Sequence, residues 1–185
     1  MDQDRICLDA RRIRSVEFSP RLSPMFCDSV ADLDAAERAR YADLLVLIAA
    51  ADGELVREEI QVLEGFMGRA MVHPEARTSI RKGLYDTNRL SNLLKNAELE
   101  TLRFALRDGA LLAAADGEYD RRELRILKKI ASTAEVDETE LKALFDWVAK
   151  GWEWHANGVV LAKCPRKSIH FRMNHFMIST GTFKP

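Results

Sequence analysis

Leu47-Ile48-Ala49-Ala50-Ala51-Asp52-Gly53-Glu54 returns sixty-four residues later as Leu111-Leu112-Ala113-Ala114-Ala115-Asp116-Gly117-Glu118. The likeness runs past the turn: Glu59-Ile60 aligns with Glu123-Leu124, and Leu63 with Leu127. Eleven aligned positions of matching character mark an internal repeat. Its unit is a helix, an acidic turn and a second helix.

The residues around each turn give the physical reason. Tyr41, Leu44, Leu45, Leu47 and Ile48 recur at helical spacing, and the alanines that follow favour helix strongly. Gly53 and Gly117 stand where a helix stops, because glycine enters the left-handed conformation without a side-chain clash. A new helix is predicted from near Val56, burying Ile60, Leu63, Phe66 and Met67. In the second half a helix from about Glu98 to Ala115 ends at Gly117. Asp120 then caps the next one, with Glu123 completing a capping box. Asp137 and Glu140 repeat that signature and start a helix carrying Leu141, Leu144, Phe145 and Val148, with Trp147 expected to be buried in it. Between the halves, Pro74 opens a short helix at its first turn. Asp86, Asn88, Ser91 and Asn92 suggest broken structure before the next long helix. Residues 32–150 therefore read as an all-α, pseudo-symmetric helical bundle.

The flanks differ. Residues 1–31, with Pro20 and Pro24, lack a helical period and read as an N-terminal arm. From Gly151 the pattern changes. Trp152-Glu153-Trp154-His155 and Val159-Val160-Leu161 flank Asn157-Gly158, a two-residue hairpin signal. Ile169, Phe171 and Met173 alternate like a third strand, and Phe176 and Ile178 continue on the opposite parity. Residues 151–185 are thus expected to form a small β appendage that contains Trp152 and Trp154.

Composition narrows the function. Of 185 residues, 47% are hydrophobic and 31% charged, an ordinary globular balance. No apolar run approaches the ~18 residues that a membrane span needs, and an apolar signal segment is lacking at the start, so a cytoplasmic location is expected. Cys7, Cys27 and Cys164 are few, dispersed and without a Cys-x-x-Cys pair, as reduced thiols would be. Charge is uneven. Residues 41–154 hold 16 basic and 21 acidic side chains, whereas residues 155–185 hold five bases and no acid. Either body and tail complement each other, or the tail meets an anionic partner.

The acidic turns invite a metal reading. Asp52, Gly53 and Glu59, and again Asp116, Gly117 and Glu123, reproduce the second half of a calcium-binding helix-loop-helix. The first two ligand positions of such a loop would be Ile48 and Ala50, or Leu112 and Ala114. Apolar residues there exclude a twelve-residue calcium loop.

The doubled Ala-Ala-Asp-Gly-Glu, each followed five residues later by a further glutamate, resembles the TerB-like (tellurite-resistance) family over roughly residues 35–150. That resemblance implies an all-helical, pseudo-symmetric fold from bacterial tellurite-resistance and stress operons, with a related domain in a membrane-anchored J-domain co-chaperone. It also implies a divalent metal, calcium or magnesium, held by carboxylates at the turns. The matching residues are Asp52, Glu54, Glu59, Asp116, Glu118 and Glu123. One departure is that Asp120 at the second cap is matched by Val56 at the first, which points to a poorer first site. A purely structural reading stands beside the metal one: Glu59 and Glu123 sit where a glutamate caps a helix, and Asp52 and Asp116 can satisfy amides of a tight turn.

Other chemistry is thinner. Cys164, His170, His175 and His155 invite a zinc reading, but the five-residue histidine spacing puts the two side chains on different faces. The tail interleaves Lys163, Arg166, Lys167 and Arg172 with Phe171, Phe176 and Phe183, as a single-strand binder would, but the chain as a whole is not basic. No phosphate loop, Gly-x-Ser-x-Gly, His-Glu-x-x-His or Glu-x-x-His is present. The leading expectation is a non-enzymatic scaffold or binding module whose partners are other proteins of a stress or membrane-associated assembly. The alternatives are a metal-dependent hydrolase using the acidic cluster and a nucleic-acid accessory protein using the tail.

Overall fold

A computed structural model of the protein describes residues 29–51, 53, 56–82 and 89–163. The arm to residue 28, Asp52, Glu54, Asp86, Asn88, Cys7, Cys27, Cys164, His170, His175 and the strands expected between 169 and 178 lie outside them. After a 3-10 turn at Ser29–Asp32, seven α-helices follow among the described residues: α1 (Ala35–Ala49), α2 (Arg57–Arg69), α3 (Pro74–Lys82), α4 (Arg89–Asn96), α5 (Leu99–Leu112), α6 (Arg121–Thr133) and α7 (Glu138–Leu161). No described helix is long and apolar enough to cross a membrane.

Several helix boundaries fall sixty-four residues apart. α1 starts at Ala35 and α5 at Leu99; α2 spans Arg57–Arg69 and α6 Arg121–Thr133; α3 starts at Pro74 and α7 at Glu138. Helix ends repeat as well. Met71 and Glu135 both adopt left-handed backbone, and Val72 and Val136 donate their amides to the carbonyls of Met67 and Ala131 at 3.1 and 3.0 Å. These bonds satisfy carbonyls that the last turn of a helix leaves without partners.

α1 is the axis. From Leu44 to Ala49 every side chain is buried, so the helix is enclosed on all sides, packing most extensively on α5 and also on α2, α3, α4 and α6. α1 and α5 approach closely at Gly109, where an added Cβ would lie 2.4 Å from the Ile48 methyl. Near the other end of both helices, Glu37 of α1 accepts the amide of Glu98, the cap residue of α5, at 3.1 Å. α1 and α5 therefore run in the same direction, and both acidic turns leave from one end of the bundle.

Three expectations need correction. Ser91 and Asn92 lie inside α4, with Asn96 Nδ2 donating to the Asn92 carbonyl at 2.7 Å. The hairpin at Asn157-Gly158 is replaced by helix, since α7 runs without a break to Leu161 and Lys163 follows in left-handed backbone. A capping box at Asp137 nucleates α7, and extending a formed helix adds one hydrogen bond per residue fixed. Gly151 and Gly158 each cost about 1 kcal/mol relative to alanine, yet an isolated two-stranded hairpin is itself marginal. Thirdly, Trp147 is 49% exposed and Ile60 is 44% exposed. The inward stripe of α7 is Leu141, Phe145 and Val148, continued by Trp152 against the core, so Trp147 falls about 100° off it.

Candidate functional site

On α2 the buried stripe is Glu59, Leu63, Phe66 and Met67, so the glutamate occupies the inward position and Ile60 does not. On α6 it is Glu123, Leu127, Ile130 and Ala131. Both glutamates are in phase with the core leucines four residues on, a signal the sequence carried but capping logic alone ignores. The two helices start at one end of the bundle, and their first turns bring these carboxyl groups together.

Each glutamate works first as a cap. Glu59 Oε2 accepts the Val56 amide at 3.0 Å, and Glu123 Oε2 accepts the Asp120 amide at 2.9 Å. Asp120 returns the bond in α6, its Oδ1 accepting the Arg122 amide at 2.6 Å. Val56 has no side-chain acceptor, so α2 holds only half of the box. That asymmetry was legible in the sequence.

The Glu59 side chain also lies close enough to Glu123 to act on its carboxyl group. Both are nearly buried, 7% and 4% exposed. Two carboxyl groups in contact share a proton, because the second negative charge is repelled by the first and poorly solvated. Burial, the Glu59 charge and Asp116 push Glu123 up to about 8, against the pull of the Asp120 amide in the other direction. Tyr119 packs beside the pair, edge-on to Phe145 at 5.1 Å, with its hydroxyl donating to the Ala110 carbonyl at 2.8 Å. Burial and the Glu123 charge raise the pKa of its phenol.

The remaining expected ligands divide. Asp116 lies close enough to act on Glu123, but its Oδ1 accepts the Glu118 amide at 3.0 Å, as an ordinary turn aspartate does. Glu118 is exposed. Asp52 and Glu54 lie outside the described residues. Among those described, no three Asp, Glu, His or Cys side chains gather as a metal-holding group. Gly53 and Gly117 have φ of 94° and 96°, and their amides bond to Ala50 and Ala114 carbonyls at 3.2 and 3.0 Å. The two glycines thus share one local geometry.

A second buried polar group lies deeper between α1 and α5. Tyr41 donates to Asp108 Oδ2 at 2.7 Å, and Arg107 grips both oxygens of that carboxylate at 2.7 and 2.8 Å. Burial and the Asp108 charge drive the Tyr41 phenol far above its ordinary range. Asp108 belongs to no sequence motif. Its phase with Thr101, Ala105 and Leu112 on the buried side of α5 was the missed signal. Glu37 belongs to the same class, in phase with Tyr41, Leu44 and Ile48, and it also holds Arg40.

Two surface grooves of about 300 and 310 Å³ are lined by Arg103, Leu106, Arg107, Val136, Glu140 and Leu144, and by Arg40, Arg89, Asn92, Leu93 and Asn96. Neither is lined by Glu59 or Glu123. His155 is exposed on α7. Compared with known families, curated proteins and solved structures, the chain matches no family model, no curated protein and no solved structure.

Proposed function

We infer that this chain is a TerB-like, non-enzymatic binding module of a bacterial stress-response assembly, and that its two helix-turn-helix halves are related by pseudo-symmetry. The observation that carries the reading is the meeting of Glu59 and Glu123. One glutamate from each repeat is buried, aimed at its counterpart and tied to its own helix start. A pair serving only as caps would have no need to face each other, since a capping glutamate works equally well at an exposed position, as Glu140 does on α7.

The donor set fits a hard divalent cation. A carboxyl group from each repeat lies near the other, and carboxylate oxygens suit such ions. Glu59 and Glu123 would hold calcium or magnesium, with Asp116 and Asp52 contributing from the turns. The bound ion would supply the positive charge that a shared proton supplies otherwise. Since ligands must be deprotonated, affinity should rise with pH. Glu118 and Glu54 are assigned no ligand role by this reading. The hydrolase alternative needs a substrate-sized cavity beside the carboxylates, and both described grooves lie elsewhere.

Calorimetric melting at pH 8 tests the proposal. At a hundredfold the dissociation constant a cation adds ~2.7 kcal/mol, or about 5–10 °C. Glu59→Gln with Glu123→Gln should abolish the shift and leave a cooperative fold. A wild-type melting point indifferent to both cations sinks the metal role.

A further inference from the structure

α7 is one helix where the first half has two. At the sixty-four-residue offset α3 and α4 correspond to 138–146 and 153–160 of α7, so the part of α7 from Glu153 on stands where α4 stands in the first half. Unlike α4 it is exposed along its length, apart from half-buried Val159. Its most prominent apolar side chains are Trp154, 79% exposed, and Leu161, 82% exposed. Together with half-exposed Trp147 they define a seam: Leu144, Trp147, Gly151, Trp154, Gly158, Leu161. The spacing alternates three and four residues without interruption. That is the heptad seam by which one helix packs along another. It lies about 100° around α7 from the Leu141–Phe145–Val148–Trp152 stripe that faces the bundle, so both faces can be used at once.

We propose that this seam pairs with the same seam of a second copy, antiparallel, to form a homodimer. The order of side chains selects that occupant. In an antiparallel helix pair centred between Trp152 and Glu153, Trp147 faces Gly158 of the second copy, Gly151 faces Trp154, and Leu144 faces Leu161. Every indole meets a glycine and the two leucines meet at each end. A parallel pair would instead stack Trp on Trp and Gly on Gly, leaving alternate clashes and voids. In one copy the glycines are open: a Cβ at Gly151 or Gly158 would touch nothing within 4 Å. Among the described residues nothing packs on either glycine, in mid-helix positions where glycine is the least favourable residue after proline.

The surroundings agree in shape and charge. Leu144 lines the 300 Å³ groove that it shares with Arg103, Leu106, Arg107, Val136 and Glu140, and this groove would receive Leu161 of the second copy. The C-terminal turn of the second copy's α7 arrives there with its negative dipole end, beside two arginines and Glu140. Flanking the seam, Lys150 comes beside Asn157 of the second copy, and no like charge opposes it there. The seam is roughly 26 Å long at ~1.5 Å per residue. Its four indoles contribute about 500 Å² at 150–250 Å² per ring scaled by exposure, half of the ~1,000 Å² that a specific interface buries. Leu161 and the flanking stems add to that area, which puts the interface at the small, transient end of the specific class, where micromolar is the concentration range to search.

Sedimentation of the full chain from ~1 to 200 µM, chosen to bracket that range, decides it. The wild type should shift towards dimer with concentration, its tryptophan emission moving to the blue. Gly151→Leu with Gly158→Leu should stay monomeric over the same range while gaining helicity, since leucine favours helix and meets nothing in one copy. In a background with Cys7, Cys27 and Cys164 changed to serine, Leu144→Cys with Leu161→Cys should cross-link two chains, and Leu161→Cys alone should not. A wild type monomeric at every concentration overturns the proposal, whether residues 164–185 cover the face or vesicles of phosphatidylglycerol bind it. A double leucine variant that still dimerises, or self-linking of Leu161→Cys alone, overturns the seam or its direction.

Discussion

Replacing Glu123 by glutamine removes a titration while keeping the hydrogen bonds. The amide oxygen can still accept from Asp120, and the amide nitrogen can donate to Glu59 as the shared proton does now. In the wild type, burial and the neighbouring charges lift Glu123 from 4.5 to about 8. The folded chain therefore holds a proton that the unfolded chain releases. Stability from this site is fully present below about pH 4.5 and is lost as pH rises through about 8. At ~1.4 kcal/mol per unit the full span sets a ceiling near 5 kcal/mol; relaxation and solvent screening bring it to about 2–4 kcal/mol. For a chain of this size that is about 5–12 °C in melting temperature. In chelator and low salt, Glu123→Gln should melt about that much above the wild type at pH 9 and within ~2 °C of it at pH 5, followed by circular dichroism. A difference that does not change with pH, or a variant less stable at pH 9, would falsify the shared-proton account of the pair.

Three further outcomes follow from the contacts. Tyr41→Phe deletes a buried donor to the Asp108 carboxylate and should cost about 1.5–3 kcal/mol in urea unfolding; a loss under 0.5 kcal/mol would mean Arg107 alone satisfies that carboxylate. Glu37→Ala frees the first amide of α5 and leaves Arg40 without its carboxylate, for an expected loss of about 1–3 kcal/mol, where an ordinary exposed cap such as Asp137→Ala should cost only ~1. A chain ending at Lys150 should still melt cooperatively, because α7 beyond that point touches the core chiefly through Trp152. Non-cooperative calorimetric melting of the shortened chain would make the distal helix part of the core.

Local order was readable because local chemistry sets it. Gly53 and Gly117 shape the turns that follow α1 and α5, since no other residue reaches positive φ at so little cost, although the helices themselves stop earlier, at Ala49 and Leu112; the boxes at Asp120 and Asp137 start helices within three residues of themselves. The repeat told the helices' order, and α2 and α6 start at matching positions although Val56 lacks the cap that Asp120 supplies, since Glu59 and Glu123 each bond back to their own helix start. Where local signals competed, reading went astray. Asn157-Gly158 is a turn signal only if two strands are available to flank it, and here a helix nucleated twenty residues earlier had already claimed both sides.

What the sequence by itself determined is therefore the series of helices, their caps and the two glycine turns, each the product of interactions spanning four residues or fewer. Which face of each helix is inside was decided only in the tertiary structure, since a helix has several apolar phases and its neighbours select one. That choice turned Ile60 and Trp147 outward and Glu59, Glu123, Glu37 and Asp108 inward. The contact between Glu59 and Glu123 is the plainest case. Sixty-four residues separate two carboxyl groups that capping rules treat independently, and only the parallel run of α1 beside α5 delivers both turns to one end of the bundle, where the charges must share a proton or a cation.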